Sequence, residues 1–110
     1  MNELAEVEAA DLDNVRVVRV SGEIDLSNAH DVLESIGEAV RSGATAIVVD
    51  LSGVTFLDSS GISMLFRLHE RIGYSRQELR LVVPLASPIR RVLELTRISD
   101  VIPLHESLDG

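Results

Sequence analysis

The chain has 110 residues, 45% hydrophobic but only 3% aromatic, with 18 acidic and 10 basic side chains giving a net charge of −8. This length suits one domain over residues 1–110, burying roughly two-thirds of its unfolded surface around an aliphatic core. The absence of cysteine excludes a disulfide framework, a thiolate metal site and a thiol nucleophile, and the acidity argues against binding nucleic acid or an anionic membrane surface.

The N-terminal stretch Met1-Asn2-Glu3-Leu4-Ala5-Glu6 has neither a basic segment nor an apolar one, so no signal peptide is expected. No apolar run nears the ~20 residues that cross a bilayer, and a cytoplasmic protein is the expectation. Residues 1–9 hold a weak strand with Ala5 and Val7 on one face, and Asp11-Leu12-Asp13-Asn14 reads as a turn. The β-branched run from Val15 to Val20 is a second strand, forming a hairpin with the first. Gly22 breaks that run, and Glu23-Ile24-Asp25-Leu26 leads toward a helix. In that helix Ala29, Val32, Leu33, Ile36, Ala39 and Val40 share one apolar face. Asn28 and Asp31 look like a capping pair, and Gly43 lies where a terminating glycine belongs.

Thr45 to Leu51 reads as a strand buried on both faces, closed by a tight Ser52-Gly53 turn. A second helix is expected from about Ser59 to Ile72, stopping at Gly73 and burying Ile62, Leu65, Phe66 and Ile72. Leu79 to Val83 is another strand. Ser87-Pro88 opens a third helix with a hydroxyl cap and a proline in first position, and Val101 to Leu104 adds an edge strand that tolerates Pro103. The order β-β-α-β-α-β-α describes an α/β layer structure in which helix-linked strands run parallel.

Most catalytic chemistry lacks its parts. A Ser-His-Asp triad could draw on Ser60, His30, His69 and His105, but no G-x-S-x-G elbow is present, and His69 falls on the apolar face of its own helix. The histidines are scattered, so no metal is expected, and no phosphate-binding glycine-lysine loop or other cofactor motif appears. Asp50 ends a Val-rich strand, as a phospho-accepting aspartate would. That chemistry also needs a lysine, and all ten basic residues are arginine. Asp50 is read instead as a residue that bonds the Ser52-Gly53 turn.

Asp58-Ser59-Ser60-Gly61 remains. As a helix cap, Asp58 or Ser59 would accept from free backbone N–H groups, and the acidic charge would complement the helix dipole. A glycine in the first turn costs about 1 kcal/mol against alanine, so its presence suggests a close approach to the backbone. A hydroxyl here is also placed to carry a phosphate. Cap and switch both stay open on spacing alone.

The segment Asp50-Leu51-Ser52-Gly53-Val54-x-Phe56-Leu57-Asp58-Ser59-Ser60-Gly61 resembles the central motif of STAS domains, specifically the stand-alone anti-sigma factor antagonists of bacteria. The resemblance extends to Gly22-Glu23-Ile24-Asp25-Leu26, to Leu79-Arg80-Leu81-Val82 and to the stretch from Ser87 to Thr96. It implies a mixed four- to five-stranded sheet with helices packed mainly on one face. It further implies a phosphoacceptor at Ser60, with Ser59 the structural member of the pair, and Asp25 lying near that serine. Asp25, Asp58, Ser59, Ser60 and Gly61 would contact the partner, an anti-sigma factor with serine kinase activity, and a serine phosphatase would reverse the modification. On this reading the chain is not an enzyme and needs no cofactor. A ligand-sensing or scaffold STAS module without phosphorylation is the alternative, and the apolar edge strand leaves a weak homodimer open. Arg97 stands where the family commonly has glycine, so a different exit from the third helix is expected, and the chain ends where many relatives continue a last helix.

Overall fold

In a computed structural model, residues 4–40 and 42–108 are described. They form β1 (Ala5–Leu12), β2 (Val15–Ile24), α1 (Ala29–Ala39), β3 (Ala46–Leu57), α2 (Ser59–Tyr74), β4 (Glu78–Val82), α3 (Arg90–Leu95) and β5 (Leu104–His105). The five strands lie in sequence order in one sheet, β1 antiparallel to β2 and the rest parallel. The β1–β2 hairpin follows from the alternating sequence, and the parallel pairs follow from the helices that link them.

The main core fills one side of the sheet. Val18, Val20, Ile47, Val49, Leu51, Leu79 and Leu81 meet Val32, Leu33 and Ile36 of α1 and Leu65, Leu68 and Ile72 of α2. The other face keeps a small cluster of Val17, Val48 and Val82, where Asp50 accepts from Arg19 Nε at 3.4 Å.

Several boundaries differ from the sequence expectation. β1 extends through Asp11 and Leu12, and the turn shrinks to Asp13-Asn14. Neither Gly22 nor Ser52-Gly53 ends a strand. Arg19 faces Asp50, thirty-one positions on, whereas Ile24 faces Leu57, thirty-three positions on, so β3 carries two extra residues against β2. They enter at two irregularities, between Arg19 and Ser21 and between Gly22 and Glu23. Asp50 Oδ1 supports the first by accepting from Ser52 N–H at 2.9 Å and Ser52 Oγ at 2.5 Å. Gly22 serves the second with φ +102°, and a Cβ there would strike the Leu4 carbonyl. As a result β3, buried continuously from Ala46 to Leu51, buries only Val54 and Leu57 beyond that point.

Helix ends shift too. Asn28 is the N-cap of α1 but makes no side-chain cap bond, so the Asn28–Asp31 pair does not form. The C-cap is the extended residue Val40, whose N–H donates to the Ile36 carbonyl. Gly43 takes φ +94° farther on, outside the helix. α3 begins only at Arg90, because Ser87 and Pro88 sit in a preceding turn where Ser87 Oγ accepts from Ile89 N–H at 3.2 Å. After α3, Arg97 takes the left-handed conformation at φ 60° despite its side chain, which pairs with Asp100 at 2.9 Å. The helix exit therefore keeps the conformation a glycine would give it.

Candidate functional site

β2 and β3 end level, with Ile24 facing Leu57. The next residue of each strand is an aspartate, so Asp25 and Asp58 leave the same end of the sheet side by side. The Asp58 N–H donates to the Ile24 carbonyl at 3.3 Å and ties the two exits together.

Asp58 is extended and forms the N-cap of α2. Its Oδ1 accepts from the N–H groups of Ser60 at 2.8 Å and Gly61 at 3.3 Å. One carboxylate thus satisfies two orphan donors and meets the positive end of a sixteen-residue helix. This assigns the structural role to Asp58, not to Ser59. Ser59 is exposed, Ser60 is half-buried, and within the described residues neither hydroxyl has a hydrogen-bond partner.

Gly61 is buried, and a Cβ on it would run into the Leu57 side chain and crowd Ile24. The close approach signalled by this glycine comes from the chain's own core. It lets the first turn of α2 settle onto the strand ends and fixes the height of Ser60 above them.

The Asp25 side is held by different bonds. Asp25 Oδ1 accepts from Ser27 Oγ at 2.5 Å and Ser27 N–H at 2.9 Å. The Ser27 hydroxyl, then its N–H, hold this carboxyl below its ordinary range. Asn28, only 1% exposed, points backward: its Oδ1 accepts from Asp25 N–H at 2.9 Å and its Nδ2 donates to the Glu23 carbonyl at 2.8 Å. The Asp25 carbonyl in turn accepts from the N–H groups of Asn28 and Ala29. With both ends of the loop tied, Leu26 is left 83% exposed.

Between the starts of α1 and α2 lies an open cleft of about 230 Å³. Leu26, Ala29 and His30 line it from the α1 side, and Ser60, Ser63, Met64 and Arg67 from α2. The structure therefore groups Asp58, Ser59, Ser60 and Gly61 at one helix start with Asp25 at the neighbouring strand exit. The sequence names Leu26 in a motif and His30 only as a triad candidate, and it does not place either of them, or Arg67, in this cleft. A leucine flanked by Asp25 and Ser27 in a polar turn is the one signal that points to them.

His69 is half-buried on α2 and His105 lies on β5, both away from the cleft lining. Among the described residues no three His, Asp or Glu side chains gather as metal ligands, and no helix is long and apolar enough to cross a membrane.

The STAS domain family model matches residues 6–110. The anti-sigma-F factor antagonist RsfB of Mycobacterium tuberculosis is 38% identical over 109 residues, covering 94% of this chain and 87% of RsfB. The crystal structure of an anti-sigma factor antagonist from Mycobacterium paratuberculosis superposes with a TM-score of 0.83 at 35% identity, covering 96% of this chain and 88% of that one. The fold also matches the anti-sigma factor antagonist SpoIIAA in its unphosphorylated form, with a TM-score of 0.71 at 19% identity over 94% of this chain and 88% of SpoIIAA. The chain belongs to the STAS domain family, with strong homology to stand-alone anti-sigma factor antagonists such as RsfB.

Proposed function

We propose that this chain is an anti-sigma factor antagonist whose binding is switched off by phosphorylation of Ser60. The observation that carries the switch is the division of labour at the start of α2. Asp58 takes the capping bonds, so the Ser60 hydroxyl stays free at the edge of an open cleft. The antagonist role is supported by the names of its relatives, RsfB above all.

Unmodified, the protein docks on an anti-sigma factor through Asp25, Asp58, Ser59, Ser60 and Gly61, and the sigma factor is released. Leu26 supplies the apolar anchor of this surface, since a large exposed side chain held on a tied loop buries area at little entropic cost. The anti-sigma factor, acting as a kinase, then transfers the γ-phosphoryl group of ATP to Ser60 Oγ. The hydroxyl proton is lost and ADP leaves. The added charge of about −1.5 to −2 lies next to Asp58 and close to Asp25, so like-charge repulsion and the desolvation of a dianion weaken the complex. A loss of ~3 kcal/mol lowers affinity more than 100-fold. A serine phosphatase restores the binding form. The chain itself acts as substrate and binder, with no catalytic residue and no cofactor, as one STAS domain over residues 1–110.

The test is incubation with the cognate anti-sigma factor and ATP, followed by intact mass and phosphosite mapping. One phosphate on Ser60 is expected, and none on Ser60→Ala. Equal phosphorylation of Ser60→Ala rejects the site. A Ser60→Asp variant that binds the anti-sigma factor as well as the native chain would instead support a STAS module not controlled by phosphorylation.

A further inference from the structure

Arg67 lines the same cleft as Ser60. The two are seven residues apart on α2, two helical turns or roughly 10 Å of rise, and therefore share a face. Long helical side chains lean toward the N-terminus, which carries the guanidinium back along the cleft wall toward Ser60. Ser63, between them on that face, is too short to block the path.

Arg67 is also unengaged. Arg16, Arg19, Arg71, Arg80, Arg90 and Arg97 each hold a carboxylate. Among the described residues Arg67 has neither an ion pair nor a hydrogen bond, in a chain with 18 acidic and 10 basic side chains. The aspartates at this end of the sheet are occupied, Asp58 with the N–H groups of Ser60 and Gly61 and Asp25 with Ser27. From α1 the facing titratable group is His30.

We infer that Arg67 is the internal receiver of a phosphate on Ser60. A guanidinium presents two parallel N–H groups that match two phosphate oxygens, and the cleft between the helices accommodates the group. The inference rests on the Ser60 reading and adds to it where the phosphate goes. Once paired with Arg67, the phosphate lies down along α2 and fills the cleft beside Leu26, so the partner meets an occupied cleft as well as added charge.

The experiment uses the full chain carrying phosphoserine incorporated at position 60 during synthesis, so no kinase is needed. Phosphorus NMR follows the second ionisation of the phosphate against pH in the native chain and in Arg67→Gln, Arg67→Lys and His30→Gln. A guanidinium about 4 Å away should lower that ionisation by about three-quarters of a pH unit relative to Arg67→Gln, with Arg67→Lys recovering part of the shift. Arg67 is exposed, so an unchanged amide spectrum of the unmodified variants checks that the fold is kept. Equal values in the native chain and Arg67→Gln overturn the inference. So does a shift lost in His30→Gln but kept in Arg67→Gln. Kinase mapping to a residue other than Ser60 would defeat the underlying reading without altering this titration, so the two failures are separable.

Discussion

The two helix starts at this end of the sheet begin from the same situation and resolve it differently. Ile24 and Leu57 are paired, and each is followed by an aspartate with a serine two residues later, Asp25 with Ser27 and Asp58 with Ser60. At Asp58 the helix begins immediately, and the carboxylate caps it through Ser60 N–H and Gly61 N–H. At Asp25 the helix waits until Ala29, and the carboxylate is engaged by Ser27 within the loop. The first arrangement leaves two hydroxyls free on a rigid helix. The second engages its serine and exposes a leucine. An aspartate followed by a serine two positions on thus has two local outcomes, and what separates them is Gly61, whose missing Cβ lets α2 start directly against Leu57.

The largest expected effect is on the loop side. Asn28→Ala removes a buried side chain that satisfies both Asp25 N–H and the Glu23 carbonyl, and each stranded group costs roughly 1–3 kcal/mol. Urea unfolding should show a loss of about 2–4 kcal/mol at an unchanged slope. A loss below about 1 kcal/mol would mean that the loop is not held by Asn28.

Asp58→Ala should cost less, about 1 kcal/mol, because it removes a helix cap whose donors can turn to water. Asp58→Asn, which keeps an acceptor, should recover most of it. If Asp58→Ala proved neutral, the capping role would revert to Ser59.

The smallest effect depends on pH. Bonding to Ser27 depresses the folded-state ionisation of Asp25 below its ordinary value of 3.8. A depressed carboxyl adds stability that is present above the unfolded-state value and is lost as pH falls through the folded one. The native chain should therefore exceed Ser27→Ala in melting temperature near neutrality, and the excess should shrink as pH drops below about 4. An excess that grows in acid would contradict the assigned bonding.

The element order, the hairpin, the parallel pairs and the apolar faces of α1 and α2 are legible in the sequence, because they follow from side-chain periodicity within a single segment. So is the grouping of Asp58, Ser59, Ser60 and Gly61. What escapes depends on a neighbour. Ser52-Gly53 looks like a turn, yet it lies inside β3, since a bulge is defined only against the strand it pairs with. Asn28 has the composition of a helix cap, but two backbone partners upstream compete for its side chain. The place of Arg67 beside Ser60 could be read from helical spacing, whereas the cleft they share with Leu26 and His30 needs α1 beside α2.

The two extra residues of β3 also act as a measure of length. Were β3 to pair regularly from Asp50 onward, Asp58 would be carried two residues past the level of Asp25, an overshoot of about 6.6 Å at 3.3 Å per parallel residue. The level of the two surface charges is therefore stored in the two pairing irregularities between Asp50 and Leu57. Straightening one irregularity while keeping every residue would move the serine-bearing helix relative to its neighbour by a whole step, whereas deleting the extra residue with it would leave the two exits level. The footprint offered to a partner is thus set in whole-residue steps of strand pairing, a coarser adjustment than any exchange of one side chain for another.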